Sequence, residues 1–221
     1  MLETFSIRCL GSDFSEISRT IEKSHSIVQK SLHYSTVSNA NIRDAALPVI
    51  DLWNKTHTES HVECQQNFEI LKNQIIIHQM RVRHVPTIKY DTSHFLDLFD
   101  YIEEKNSKGW VFGDLCKKNI LFTGNEFKVI DFEPFLSVIR NKRRELRTTA
   151  PFLHPNDKKM GMISALSDRL ALLSFLLATQ KLENSSTKVF FAEQDKILEW
   201  CSMPYEKLRP LIPHLSDLVD S

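Results

Sequence analysis

Asp114, Asn119 and Asp131 are the residues of this chain whose types and spacing suit chemistry. The run Gly113-Asp114-Leu115-Cys116-Lys117-Lys118-Asn119-Ile120-Leu121 leads through a turn pair, Gly124-Asn125, to Val129-Ile130-Asp131-Phe132-Glu133. Residues 119–123 and 127–132 are apolar and β-prone on either side of that turn, so the spacing predicts a short two-stranded hairpin. Asn119 and Asp131 then stand at its open end, where their side-chain oxygens converge with the Asp114 carboxylate. Transfer of a phosphoryl group from a nucleotide asks a protein for few parts: a carboxylate to orient the attacking hydroxyl, and oxygen ligands to hold Mg²⁺ against the phosphates. The plain alternative makes Asp114 and Asn119 loop residues and Asp131 a turn-former.

Such groups need a scaffold, and the hydrophobic pattern supplies one. Residues 4–34 alternate apolar and polar with breaks, as at Phe5, Ile7 and Cys9, and predict three antiparallel strands, the second over 17–23. Residues 41–58 read as helical, with Pro48 at a start or a kink. Runs at 68–71 and 75–82 predict two more strands and hence a five-stranded sheet, with a hinge near Arg83-His84-Val85-Pro86. Phe95, Leu98, Phe99 and Ile102 recur at helical spacing behind Ser93 as a cap. Further helices are expected near 162–180, 187–202 and 205–220.

The order Asp114, Asn119, Asp131 resembles the catalytic loop and metal-binding loop of the protein-kinase superfamily. The resemblance extends over about residues 4–180. Leu10-Gly11-Ser12-Asp13-Phe14-Ser15-Glu16-Ile17 is similar to a shortened glycine-rich loop, and Ile27-Val28-Gln29-Lys30 to the strand bearing the phosphate-positioning lysine. Thr149-Ala150-Pro151-Phe152-Leu153-His154-Pro155-Asn156-Asp157 resembles the end of an activation segment. Ser167-Asp168-Arg169-Leu170-Ala171-Leu172 resembles the start of the central helix, whose Asp in that family hydrogen-bonds the catalytic-loop backbone. A solvent-facing helix residue is the plain alternative for Asp168. The resemblance implies that Asp114 is catalytic, that Lys30, Gly11 and Ser12 bind ATP, and that Asn119 and Asp131 bind Mg²⁺.

Departures from the family pattern carry their own expectations. Phe112-Gly113 stands where that family has His-Arg, so no arginine is there to clamp a phosphorylated activation segment, and activity without such phosphorylation is expected. Asp-Phe-Gly is Asp131-Phe132-Glu133, which removes backbone freedom from the metal loop. Gly-Asp and Asp-Phe-Glu variants are similar to those of aminoglycoside- and choline-kinase-like phosphotransferases. The acid that pairs with Lys30 is Asp44, Asp51 or Glu59, and the sequence does not choose among them.

Composition narrows the class. The chain has 221 residues, with 42% hydrophobic and 25% charged, as in compact globular enzymes. Its formal net charge is +0, so no overall attraction to nucleic acid or membrane is expected. The apolar run at 170–178 is too short to span a bilayer. The first residues, Met1 to Ser6, lack the basic start and apolar core of a signal peptide. Cys9, Cys64, Cys116 and Cys201 have no paired spacing and read as reduced thiols of a cytoplasmic protein, delivery into another cell as an effector being a second possibility. His57, His61 and Cys64 at helical spacing lack a fourth metal ligand, and the basic run Arg140, Lys142, Arg143, Arg144 and Arg147 is a solvated face or a docking patch.

The expectation is therefore an α+β, two-lobed protein-kinase-like fold. A small antiparallel β-sheet N-lobe over about 1–83 and a mainly helical, reduced C-lobe over about 87–221 make a single kinase-like domain. Protein Ser/Thr is the favoured acceptor, because residues 149–172 resemble protein kinases. A small-molecule kinase of sugar or aminoglycoside type is the alternative, and a pseudokinase scaffold the third reading.

Overall fold

A computed structural model describes residues 3–7, 17–23, 27–34, 65–71, 74–80, 82, 85, 91–108, 111–113, 115–130, 152–160 and 163–219. The class is α+β. The chain divides into two compact units, Met1–Arg83 and His84–Ser221.

The first unit holds a five-stranded sheet in the order β1-β2-β3-β5-β4. Its strands are β1 (Glu3–Ile7), β2 (Ile17–Lys23), β3 (Ile27–Tyr34), β4 (Gln65–Leu71) and β5 (Gln74–Met80), every neighbouring pair antiparallel. Alternation of apolar and polar residues, as at Phe5 and Ile7 either side of Ser6 in β1, is the period of a two-faced strand. The last strand ends at Met80 rather than at 82, and β4 begins at Gln65, ahead of the expected 68. A register shift between Gln65 and Asn67 bends β4 at its start. The helix expected over 41–58 lies outside the described residues.

The second unit is mainly helical around one small hairpin. Helix α1 (Thr92–Ser107) buries Phe95, Leu98, Phe99 and Ile102, the stripe its spacing predicts, and Tyr101 besides. Its cap is Asp91, not Ser93. The Asp91 carboxylate accepts the Ser93 N–H at 3.2 Å, and the Asp91 N–H donates to His94 Nδ1 at 3.1 Å. Two orphan donors are satisfied reciprocally by that exchange, which a cap at Ser93 would leave open.

Strands β6 (Ile120–Phe122) and β7 (Phe127–Val129) form the hairpin, with Ile120 opposite Val129 and Phe122 opposite Phe127. Gly124 turns the chain at φ +107°. Helices α2 (Pro155–Met160), α3 (Ala165–Gln180), α4 (Ser186–Ala192) and α5 (Gln194–Cys201) follow. The single helix expected over 187–202 is thus two, broken at Glu193, whose φ of −118° is not helical. The helix expected over 205–220 is also divided, into α6 (Tyr205–Leu208), a 3₁₀ segment (Arg209–His214) and α7 (Leu215–Val219). Pro210 and Pro213 lack the N–H groups a continuous helix needs.

Helix α3 is the core of this unit. Leu170, Leu172, Leu173, Phe175, Leu176 and Leu177 are all buried, so it is covered on every side. Its hydroxyls bond internally, Ser174 to the Leu170 carbonyl and Thr179 to that of Phe175. The hairpin lies in an aromatic cluster, with the Phe127 ring 5.8 Å from Phe95 of α1 and 5.6 Å from Phe175 of α3. No helix among the described residues is long and apolar enough to cross a membrane.

Candidate active-site loop and its supports

Two backbone amides immediately before Asp114 are held by one buried carboxylate. Asp168 lies in the first turn of α3 and is 1% exposed. Its Oδ2 accepts the Phe112 N–H at 2.7 Å, and its Oδ1 accepts the Gly113 N–H at 2.7 Å. An isolated buried carboxylate is costly. Two short charge-assisted hydrogen bonds and the positive end of α3 offset that cost. Consecutive N–H groups converge on one anion where the backbone turns as a nest. Gly113 at φ +77° takes the left-handed conformation that a side chain would strain. The backbone contact expected of Asp168 is present, and the solvent-facing alternative is not what the fold adopts.

Asp114 itself lies outside the described residues, between Gly113 and Leu115, both buried. The chain then makes a turn in which the Asn119 N–H donates to the Cys116 carbonyl at 2.8 Å. The Asn119 carbonyl accepts the Ile130 N–H at 2.7 Å, so the hairpin ladder continues one step past β6 and β7 toward its open end. That bond sets Asn119 across from the residue that precedes Asp131 in sequence, and Asp131 lies outside the described residues. At the closed end the Thr123 N–H donates to the Glu126 carbonyl at 3.0 Å.

A second buried carboxylate braces the segment entering α3. Asp157 is 0% exposed and accepts the Ser164 N–H at 2.8 Å, the Ser164 hydroxyl at 2.7 Å and the Ser167 hydroxyl at 2.5 Å. Ser167 Oγ in turn accepts the His154 N–H at 3.0 Å. Next to Asp168, Arg169 pairs with Glu103 of α1 and donates at 3.0 Å to the carbonyls of both Cys201 and Met203. The Glu103 carboxylate accepting from Arg169 holds that guanidinium more firmly charged than usual. Burial pushes the Cys201 thiol up to about 12.

The remaining predicted residues separate into three groups. Lys30 lies in β3, opposite Ile21 of β2 and Ile77 of β5. Gly11, Ser12, Asp44, Asp51, Glu59, the His57-His61-Cys64 set and the basic run at 140–147 lie outside the described residues. Among the described residues no group of three His, Cys, Asp or Glu side chains is placed to hold a metal. Sequence reasoning missed Asp157 and the Arg169–Glu103 pair. Ser164-x-x-Ser167 ahead of an apolar run signals a helix start, yet nothing in it names Asp157 as the partner.

Neither a protein-family model nor a curated protein matches this chain.

Proposed function

We propose that this chain is a protein-kinase-like phosphotransferase of two lobes, moving the γ-phosphoryl of ATP to a hydroxyl, with protein Ser/Thr the favoured acceptor. The observation that carries the reading is the Asp168 carboxylate accepting both backbone N–H groups that precede Asp114. A loop so fixed suits a carboxylate that must meet a substrate hydroxyl in one orientation, because misplacement by an ångström costs rate steeply. Further support comes from the Asn119–Ile130 bond, which continues the hairpin ladder to the residue before Asp131.

The donor set fits the implied cofactor. An amide oxygen on Asn119 and a carboxylate on Asp131 are hard oxygen ligands of the kind Mg²⁺ takes. Bound there, MgATP supplies the phosphoryl group and the charge that shields it. In this reading Asp114 would orient the acceptor hydroxyl and take its proton, Asn119 and Asp131 would hold the metal, and Lys30 would position the phosphates. Ser12 and neighbouring backbone amides, that of Gly11 among them, would cover those phosphates.

A small-molecule acceptor is the second reading, favoured by Gly113 at φ +77° and its Gly-Asp sequence. Incubation with γ-labelled ATP and Mg²⁺, alone and with a cell lysate, tests both. Label on lysate protein supports the favoured reading, and label on a sugar or aminoglycoside but on no protein supports the second. Nucleotide binding with no transfer to either would sink the enzyme assignment and leave a pseudokinase scaffold.

A further inference from the structure

We infer that Lys117 is a positioning residue for the Asp114–Asn119 loop, acting by tying that loop to the far end of α3. The inference rests on the phosphotransferase reading for its catalytic consequence. Lys117 Nζ donates to the Glu183 carbonyl at 3.0 Å. Glu183 sits just beyond the C-terminus of α3 and is itself fixed, its N–H donating to the Ala178 carbonyl at 2.8 Å. The Leu182 N–H donates to the Thr179 carbonyl at 3.2 Å, and Leu182 takes the left-handed conformation at φ 55°. These bonds form the two-carbonyl cap that closes many helices.

The loop is thereby held at both ends of one helix. Asp168, in the first turn of α3, grips Phe112 and Gly113, and Glu183, past its last turn, grips Lys117. From Asp168 to Glu183 the helix and its cap run roughly 20 Å at 1.5 Å per residue. A chain from Gly113 to Lys117 reaches at most roughly 14 Å at 3.6 Å per residue. The lysine stem and the hydrogen bonds at the two anchors cover the rest, so one stretch of chain can hold both attachments at once. A loop attached at both ends has fewer ways to displace a carboxylate carried between them. Lys118, exposed and one residue on, makes no such contact.

The test uses the full chain with Lys117→Met, Lys117→Arg and Lys118→Met, read by amide hydrogen exchange and by steady-state transfer. Lys117→Met should speed exchange of the Asn119 amide, which bonds the Cys116 carbonyl, about tenfold, while the Phe112 and Gly113 amides stay protected by Asp168. In the transfer assay kcat should fall about tenfold with the KM for MgATP unchanged, and Lys117→Arg should restore most of the rate. Lys118→Met, which removes the same charge, should alter neither readout. Unchanged Asn119 exchange in Lys117→Met overturns the tether whatever the activity. A raised KM for MgATP with normal kcat, or an equal loss in Lys118→Met, would show a phosphate-binding or bulk-charge role instead. A wild-type chain with normal Asn119 protection but no transfer in any assay would defeat the phosphotransferase reading and the catalytic half of this inference, leaving the exchange result to decide the tether.

Discussion

Asp168 illustrates how one side chain can brace both a fold and a candidate site. Replacing it by Ala leaves the Phe112 and Gly113 N–H groups buried without their acceptor. The expected loss is about 3–5 kcal/mol in denaturant unfolding, the range for breaking a buried charge-assisted pair. Asp168→Asn keeps one acceptor oxygen and should lose about half as much, and a loss below 1 kcal/mol in the Ala variant would mean the pair is replaced by water. Asp114 belongs to a different category. If it orients the acceptor hydroxyl, Asp114→Ala should abolish transfer while folding and nucleotide affinity persist, since only a transition-state interaction is removed. Activity above a tenth of wild type would remove that role. Asp131→Ala should instead weaken Mg²⁺-dependent nucleotide binding, which calorimetric titration with MgATP measures directly.

Among the elements, α3 does the most. Its apolar circumference fills the core, its first turn binds the loop before Asp114, and its last turn is closed by a strained residue. Leu182 is 83% exposed and sits at φ 55°, so its side chain packs on little while its backbone is held in a conformation that favours glycine. Leu182→Gly removes strain of about 1–2 kcal/mol and adds about 0.5–1 kcal/mol of unfolded-state entropy. The balance predicts a gain of about 0.5 kcal/mol, seen as a Tm rise of about 1–2 °C. A fall in Tm would show that the Leu182 side chain contributes more than its exposure indicates. The hairpin of β6 and β7 depends on its setting too, because two short strands are marginal alone and here gain the Phe95, Phe122, Phe127 and Phe175 cluster.

At the scale of the molecule, one guanidinium ties three elements of the helical unit together. Arg169 joins α3 to Glu103 of α1 and to the carbonyls of Cys201 and Met203 at the end of α5. Cys201 lies beside this junction, and burial raises its thiol to about 12. A raised folded value means that the unfolded chain ionises first. Stability is therefore full at neutral pH and declines as pH rises from about 8.5, the ordinary thiol value, toward 12. Thiol labelling at pH 8 should modify Cys201 only as the unit unfolds, whereas half-buried Cys116 should react in the native state. Rapid native-state labelling of Cys201 would contradict the burial that sets its acidity.

Much of this protein was legible in its sequence where the signal is local. Alternation marked β1, β2 and β3, the spacing of Phe95, Leu98, Phe99 and Ile102 marked α1, and a Gly-Asn turn between two apolar runs marked the hairpin. Period and turn chemistry depend on neighbours a few residues apart, so one chain suffices to see them. The cap of α1 and the break at Glu193 went astray because any of the three consecutive polar residues Asp91-Thr92-Ser93 can serve as a cap and because helical patterning continues across a one-residue kink. Only the tertiary structure decided which oxygens meet which N–H groups over long separations. Asp168 with Phe112 and Gly113, Arg169 with Glu103, and Lys117 with the Glu183 carbonyl are pairings of residues that folding, not spacing, brings together. An aspartate that faces water and one that must accept two buried amides look alike in sequence, and desolvation, a property of the packed chain, is what separates them.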